Sequence, residues 1–286
     1  MEYICSTFSF HPKSESYCDV LASLLGDLGY DSFEIADSEL KAYIPSTTYS
    51  KTSLDELLSN FPIPKIEISY VCFTIDTEDW NQKWESSFTP IFIDDLVHIH
   101  SSDYPGSQSF VYDITINPCM TFGSGSHSTT RMVIQMLLKS DLHGKKVLDL
   151  GCGTGILGIC SKLGGCYSIT ALDTDSQSIE NTKKNFNLNN VKAEKISLGS
   201  IDSLPPEELF DIILANIHLN VHLMLMEKYV SHLHPGGTLI LSGFFSSDIP
   251  KIKSSCDING LFLSESNEEG EWSALKFTKP ITDPYQ

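Results

Sequence analysis

The chain has 286 residues and a formal net charge of −18, and hydrophobic residues make up 41% of it. This length suits one large domain or two ordinary ones, and the hydrophobic share favours a packed core over a disordered chain. No apolar run approaches the roughly 20 residues of a membrane span, and so acidic a composition argues against long nucleic acid as a partner.

The acidic surplus is concentrated in the first part of the chain. Residues 1–118 hold 19 acidic and 5 basic side chains, whereas residues 119–286 hold 18 and 14. Such a surface would attract a basic protein or peptide, although an acidic composition also serves solubility alone.

The spacing of the cysteines indicates whether a metal is bound, and residues 1–11 indicate whether the protein is secreted. The eight cysteines are scattered, with no C-x-x-C pair and no His/Cys spacing typical of a metal site, so we expect no bound metal. Residues 1–11 have neither the basic nor the apolar region of a secretory signal, which predicts a cytoplasmic protein.

The first 75 residues alternate between two periodicities. Extended patterns and helical spacings follow one another at 3–10 (strand), 14–28 (helix), 32–36 (strand), 40–45 (strand), 53–59 (helix) and 66–75 (strand). The order βαββαβ is that of a ferredoxin-like sandwich. We therefore expect residues 1–75 to form a small α+β domain.

Residues 76–90 are polar, with Trp80, Trp84 and Phe88 at four-residue spacing. This spacing predicts a linker helix whose aromatic stripe packs on a neighbouring surface. Short β-like runs between 91 and 117 then lead to the stretch TFGSGSHSTTRM at 121–132.

The rest of the chain alternates strands and helices. Strands are predicted at 146–150, 168–173, 193–198, 210–215, 237–243, 261–266 and 272–278, and helices at 129–139, 155–163, 176–188, 219–232 and 247–258. Such alternation predicts a parallel sheet with helices on both faces. The last two strands have no helix between them, so they should form a hairpin whose final strand is antiparallel.

A glycine-rich turn follows the first strand of this region, in KKVLDLGCGTGILGI at 145–159. Gly151, Gly153 and Gly155 leave no Cβ between the backbone and a ligand. The spacing from Gly153 also satisfies the dinucleotide pattern, which does not decide between a nicotinamide cofactor and other adenosine ligands.

Polar side chains end two other predicted strands at the same edge of the sheet. Asp173 ends the second strand, where a carboxylate can accept both hydroxyls of a ribose, while Asp175 suits the N-cap of the next helix. Asn216 stands just past the fourth strand, above the same crevice.

These residues resemble a known group of enzymes. The motif DLGCGTG at 149–155, followed by Asp173, resembles class I S-adenosylmethionine-dependent methyltransferases. TFGSGSHSTTRM resembles the loop A-F-G-T-G-T-H-x-T-T of the ribosomal protein L-eleven methyltransferases, the PrmA family. EDWNQKW, LANI and EEGEW extend the resemblance over most of 76–272, with Ser124, Ser126 and Ser128 as mild departures.

The resemblance implies a fold and a cofactor. Residues 91–286 would form a Rossmann-like α/β domain with a seven-stranded sheet of order 3-2-1-4-5-7-6, and S-adenosylmethionine would be the cofactor. By position, the family's cofactor contacts fall on Thr130, Gly151, Asp173 and Asn216. With the loop and the glycine-rich turn, the predicted cofactor site also includes Gly123, Gly125, His127, Asp149 and Gly153.

The loop at 121–132 is interpreted as a cover over the cofactor rather than a plain linker. Thr129 or Thr130 would cap the helix that follows, whose N-terminal amides suit the methionine carboxylate of the cofactor. His127 is expected to orient the loop rather than to act as a base.

The resemblance also implies the reaction. It implies methylation of amino groups, lysine side chains and the N-terminal amine, of large-subunit ribosomal protein L-eleven, with Asn216 positioning the amine. The acidic first domain, 1–75, would bind this basic substrate, and we expect the enzyme to be a monomer.

Three alternatives stay open at this point. A methyltransferase of another acceptor, such as glutamine, a nucleobase or a small molecule, shares the core. Glutamine and base enzymes usually carry Asn/Asp-Pro-Pro-aromatic where this chain has Asn216, Ile217 and His218. A nicotinamide dehydrogenase would leave GSGSHSTT unexplained, and a non-enzymatic adaptor would not need the intact motif residues.

Overall fold

The computed structural model describes residues 3–36, 39–64, 66–75, 89–107, 109–117, 123 and 125–281. The chain divides into two units, Met1–Lys83 and Trp84–Gln286. The predicted linker helix over 76–90, with its aromatic stripe, lies outside the described residues except at 89 and 90.

The first unit is a four-stranded antiparallel sheet with two helices. Its elements in chain order are β1 (Tyr3–His11), α1 (Glu15–Asp27), β2 (Ser32–Ala36), β3 (Glu39–Pro45), α2 (Lys51–Ser59) and β4 (Glu67–Ile75). The strand order is β2-β3-β1-β4, with every pairing antiparallel. Phe8 and Leu40 of the sheet pack with Leu21, Leu25 and Leu54 of the helices. The predicted ferredoxin-like α+β fold is confirmed.

A small sheet opens the second unit. It consists of β5 (Ile91–Ile93), β6 (Val97–His100) and β7 (Tyr112–Thr115), with β6 in the centre, antiparallel to β5 and parallel to β7.

The main sheet of the second unit has seven strands. They are β8 (Lys146–Leu150), β9 (Ser168–Asp173), β10 (Lys195–Leu198), β11 (Phe210–Asn216), β12 (Leu233–Phe245), β13 (Phe262–Glu269) and β14 (Trp272–Thr278). Their order is β10-β9-β8-β11-β12-β14-β13, which is 3-2-1-4-5-7-6 when the seven strands are numbered in chain order. Strand β14 runs antiparallel to both of its neighbours, β12 and β13, and the other pairings in this sheet are parallel. The predicted Rossmann-like order is confirmed.

Helices cover both faces of this sheet. They are α3 (Ser128–Leu138), α4 (Ile156–Leu163), α5 (Ser176–Leu188), α6 (Leu219–Ser231) and α7 (Ile249–Ile258). Val147 of β8 packs with Met132 and Phe186 on one face, and the adjacent Leu148 packs with Tyr229 on the other. This alternation explains why the strand reads as a continuous apolar run: both of its faces are buried.

Strand β12 begins earlier than the sequence indicates, at Leu233 rather than 237. The pair Gly236 and Gly237, which reads as a break, is held by backbone hydrogen bonds in both directions with Lys279. Two glycines can thus continue a strand where a neighbouring backbone supplies partners.

In the part of the chain that the structure describes, no helix is long and apolar enough to cross a membrane.

Candidate functional site

A cavity of about 530 Å³ lies at the carboxyl ends of the parallel strands. Its volume is in the range of small-molecule sites, and this edge is where open α/β sheets bind ligands. The lining comes from the ends of β8 to β12, the start of β14 and the helices α3, α5 and α6. It comprises His127, Thr129, Leu150, Gly151, Gly153, Asp173, Thr174, Ser178, Gly199, Ser200, Asn216, Ile217, His218, Val221, Leu225, Gly243 and Trp272.

The glycine-rich turn forms the floor of the cavity. Gly151 has a φ of +73°, and a Cβ on it would lie 2.3 Å from Cγ2 of Ile217. A side chain at Gly151 is therefore excluded both by backbone conformation and by space. The result is bare backbone facing the cavity, on which a flat or extended ligand can lie.

Asp173 is held at the edge of this turn by two backbone amides. Its Oδ2 accepts a hydrogen bond from the Gly153 N–H at 2.9 Å, and its Oδ1 accepts one from the Asp175 N–H at 2.9 Å. Asp175 itself caps α5 by accepting from the amides of Gln177 and Ser178, as predicted. Because Asp173 is oriented by backbone groups, its remaining lone pairs have a fixed direction into the cavity.

Asn216 ends β11 at the centre of the cavity wall. Its Nδ2 donates to Oγ1 of Thr130 at 3.3 Å, while its Oδ1 is buried without a hydrogen-bond partner among the described residues. A buried amide oxygen that lacks a partner costs about 1–3 kcal/mol. This oxygen is therefore a prepared acceptor for a donor that arrives with a ligand.

The helix α3 begins one residue earlier than predicted, and its cap is not a threonine. His127 is the N-cap: its Nδ1 accepts from the backbone N–H of Thr129 at 3.3 Å and lies 2.7 Å from the Thr129 hydroxyl. The predicted caps Thr129 and Thr130 are instead buried within the first helical turn. The prediction was wrong because a histidine ring nitrogen can accept the same bond as a hydroxyl.

Burial and the nearby Arg131 lower the pKa of His127 below its ordinary value. A neutral ring is consistent with the accepting role of its Nδ1. Arg131 also donates to the backbone oxygen of Ser126 and forms an ion pair with Glu269. This ion pair joins the beginning of α3 to the turn between β13 and β14.

Several predicted site residues support the cavity without lining it. Asp149 lies beneath the glycine-rich turn and accepts from the Gly158 N–H at 2.9 Å, and its burial raises its pKa to about 7. Thr130 lies behind Asn216. Gly123 accepts the Thr154 hydroxyl through its carbonyl at 2.6 Å, and Gly125 packs against isoleucine side chains.

The sequence reasoning missed most of the lining residues, among them Gly243, Trp272 and Ser200. Gly243, at the end of β12, approaches Ile217 so closely that a Cβ would lie 2.3 Å from its carbonyl oxygen. Trp272 of β14 meets the His127 ring edge-on at 4.8 Å between centroids, and Ser200 follows β10. The glycine after an apolar strand and the Trp in EEGEW were the available signals.

The side of the cavity next to Asn216 is largely apolar. Ile217, Val221, Leu225 and Trp272 line it next to Asn216. Such a surface favours an aliphatic chain and disfavours a charged group that must leave water.

Comparisons with known proteins agree with this architecture. The family described as Ribosomal protein L11 methyltransferase (PrmA) matches residues 18–280 of the chain. A ribosomal protein L11 methyltransferase of Bacteroides fragilis is 41% identical over 278 residues, covering 97% of this chain and 99% of its own. One of Phocaeicola vulgatus is 38% identical over the same number of residues, with 97% and 99% covered.

A solved structure is similar as well. The crystal structure of a ribosomal protein L11 methylase from Lactobacillus delbrueckii subsp. bulgaricus superposes with a TM-score of 0.63 and 26% identity. The superposition covers 68% of this chain and 100% of that one.

Proposed function

Because the chain belongs to the ribosomal protein L11 methyltransferase (PrmA) family, we propose that it methylates amino groups of ribosomal protein L11 with S-adenosylmethionine as donor. The acceptors are lysine side chains and the N-terminal amine. The observation that carries the proposal is the unpartnered Oδ1 of Asn216 beside the apolar side chains of Ile217, Val221 and Leu225.

The residues around the cavity fit S-adenosylmethionine. Bare backbone at Gly151 and Gly153 suits close approach of the nucleoside, and the Asp173 carboxylate suits the two ribose hydroxyls. The start of α3 suits the methionine carboxylate, since its N-terminal amides carry partial positive charge. When bound, the cofactor supplies a methyl carbon already activated by a sulfonium.

Asn216 positions the acceptor amine. A lysine amine has a reference pKa near 10.4, so only about one in a thousand is neutral at pH 7.4. The apolar wall of Val221 and Leu225 disfavours the ammonium form and raises the neutral fraction. The Asn216 Oδ1 then accepts an N–H of that amine, which leaves the nitrogen lone pair free and directs it toward the methyl carbon.

The acidic part of the chain supplies affinity for a basic substrate. The excess of acidic over basic residues in 1–118 favours a positively charged protein such as a ribosomal protein. Residues 1–75 form the proposed recognition domain, 76–90 the linker and 91–286 the methyltransferase domain. A ribosomal substrate puts the proposed reaction in the cytoplasm, and a monomer remains the expected state.

The direct test incubates the full chain with labelled S-adenosylmethionine and purified ribosomal protein L11, followed by mass mapping of the modified positions. We expect label on lysine side chains and on the N-terminal amine. Label that appears only on nucleic acid, or on glutamine, would contradict the proposal. A chain that binds no S-adenosylmethionine at equilibrium would instead be an adaptor.

A further inference from the structure

A cluster of two histidines and one aspartate joins strands β6 and β7, away from the methyltransferase cavity. His98 and His100 are 2% and 4% exposed, whereas the Asp113 side chain is 31% exposed. His98 Nδ1 lies 2.6 Å and His100 Nε2 lies 3.4 Å from Oδ1 of Asp113. The three ligand-type atoms all lie within 4.8 Å of one another.

The tautomer of His100 is fixed by its other ring nitrogen. His100 Nδ1 lies 2.7 Å from the carbonyl oxygen of Ser101, which can only accept, so Nδ1 carries the hydrogen. In the neutral ring, Nε2 then presents a lone pair to the Asp113 oxygen. This lone pair can accept from the Thr115 hydroxyl, 3.4 Å away, and it can equally bind a metal ion placed between the ring and the carboxylate.

The Asp113 carboxylate is held in place as a metal ligand usually is. Its Oδ2 accepts the backbone N–H of Ser107 at 2.9 Å, and a Cβ on Gly106 would lie 2.6 Å from the same oxygen. The Gly106–Ser107 backbone therefore closes around one carboxylate oxygen and leaves the other for the histidines. Donation from His100 Nδ1 to a carbonyl is likewise the usual outer contact of a metal-binding histidine.

The ring of His98 is held in place by stacking. Phe92 lies 5.0 Å and Phe110 lies 5.2 Å from it between centroids. A ring held in this way loses little further freedom when it binds a ligand. The 2.6 Å contact between His98 Nδ1 and Asp113 Oδ1 is a hydrogen bond that must lengthen when an ion replaces it, and the exposed part of Asp113 gives the ion a route from solvent.

We propose that His98, His100 and Asp113 bind one divalent transition-metal ion of the zinc type. Two imidazoles and one carboxylate form a ligand set suited to Zn²⁺, with water or the Thr115 hydroxyl, 3.4 Å from His100 Nε2, in the remaining position. The ion joins β6 to β7, and β7 is in turn bound to α5, where Asn189 exchanges two hydrogen bonds with the Thr115 backbone. Its role is structural, because it fastens the small sheet to the methyltransferase core.

Cobalt titration tests this site without relying on activity. The full chain is treated with a chelator, and Co²⁺ is added while its visible absorption is followed, with Zn²⁺ as competitor. We expect one equivalent of Co²⁺ to bind and Zn²⁺ to displace it. Asp113→Asn, which keeps an acceptor for Ser107, and His100→Gln should each lower the affinity at least about tenfold. His143→Gln, an exposed histidine elsewhere, should leave it unchanged.

Two measurements on the wild type keep the test independent of how the variants fold. Zinc should raise the melting temperature by several degrees, and X-ray absorption should report two imidazole nitrogens and oxygen at about 2.0–2.1 Å. A chain that binds no Co²⁺, or binds it equally in all variants, refutes the metal site.

Discussion

At the scale of single residues, two polar side chains of the site use part of their hydrogen-bonding capacity within the protein and keep the rest for a ligand. Asn216 donates one amide hydrogen to Thr130 Oγ1 and leaves its oxygen without a partner among the described residues, while Asp173 is oriented by two backbone amides. Each side chain thus holds one group still and presents another to the cavity. Such preorganisation lowers the cost of aligning a ligand.

Replacing Asn216 tests its role in positioning the amine. We expect Asn216→Ala to lower kcat for ribosomal protein L11 by roughly 10²–10³-fold, because the amine loses its acceptor and its direction. The decrease is measured in single turnovers with saturating S-adenosylmethionine. Asn187→Ala, on the exposed face of α5, serves as the matched control and should keep the wild-type rate. Equal rates in the two variants would remove Asn216 from the reaction.

The buried Asp149 predicts a pH dependence of stability. Burial raises its pKa from 3.8 to about 7, so the folded state binds this proton more tightly than the unfolded one. The stability that this proton contributes is complete below about pH 4 and is lost as pH rises through 7.

The side chain of Asp149→Asn does not ionise, so this variant does not lose stability as the pH rises through 7. From pH 5 to pH 8, the free energy of unfolding of Asp149→Asn should gain roughly 2–3 kcal/mol relative to the wild type. Urea unfolding at the two pH values measures the change, and Asp257→Asn, at an exposed position, controls for the general effect of removing a carboxylate. A difference that stays constant with pH would show that Asp149 is ionised throughout.

At the scale of elements, the strand ends are brought together by glycines that no side chain could replace. Gly243 at the end of β12 has a φ of +96°, and a Cβ there would lie 2.3 Å from the Ile217 carbonyl oxygen. The ends of β11 and β12 can approach only because this position is bare. The placement of Asn216, one residue before Ile217, depends on that approach.

Gly243→Ala tests this dependence against a matched glycine. Gly260 also has a positive φ, +75°, but a Cβ on it meets nothing within 4 Å. Gly260→Ala should therefore lower the free energy of unfolding by about 1–2 kcal/mol, because of backbone conformation alone. Gly243→Ala should lower it by at least roughly 2 kcal/mol more, because its Cβ also meets the Ile217 carbonyl. Urea unfolding of both variants measures the difference, and equal costs would mean that the two strand ends tolerate separation.

Element order was well predicted from the sequence, and local contacts less so. The apolar runs predicted central strands such as β8 and β11 clearly, because both of their faces are buried. The cap of α3 was mistaken because Thr129 and Thr130 have the usual capping chemistry and His127 does not. Which of three neighbouring polar residues caps a helix depends on side-chain geometry that spacing does not contain.

At the scale of the whole molecule, the charge distribution predicts how the substrate is captured. The net charge of −18 acts over about 10 Å at 0.1 M salt and less at higher salt. We expect the KM for ribosomal protein L11 to rise severalfold between 50 and 500 mM salt, with little change in kcat. Steady-state kinetics at several salt concentrations measure it. The KM for S-adenosylmethionine, measured at the same salt concentrations, is the internal control. A KM for L11 that does not change with salt concentration would contradict charge-driven capture.

Predicted site residues that follow one another along the chain or end a predicted strand, such as Gly151, Asp173 and Asn216, line one cavity, and their contact with the cofactor stays a prediction. Ser200, Gly243 and Trp272 were missed because they reach the cavity from other strands, and the local signals, a glycine after an apolar strand and the Trp in EEGEW, do not say which cavity they face. Only the register of the sheet brings them there. The strand order itself came from the resemblance to a family, since periodicity does not say which strands are neighbours.

Strand β14 lies inside the sheet, between β12 and β13, and it carries Trp272 to the cavity. Residues 272–278 are also among the last described residues to be synthesised. A chain that ends before Trp272 would therefore lack one wall of the cavity, and β13 would lose the strand that joins it to β12.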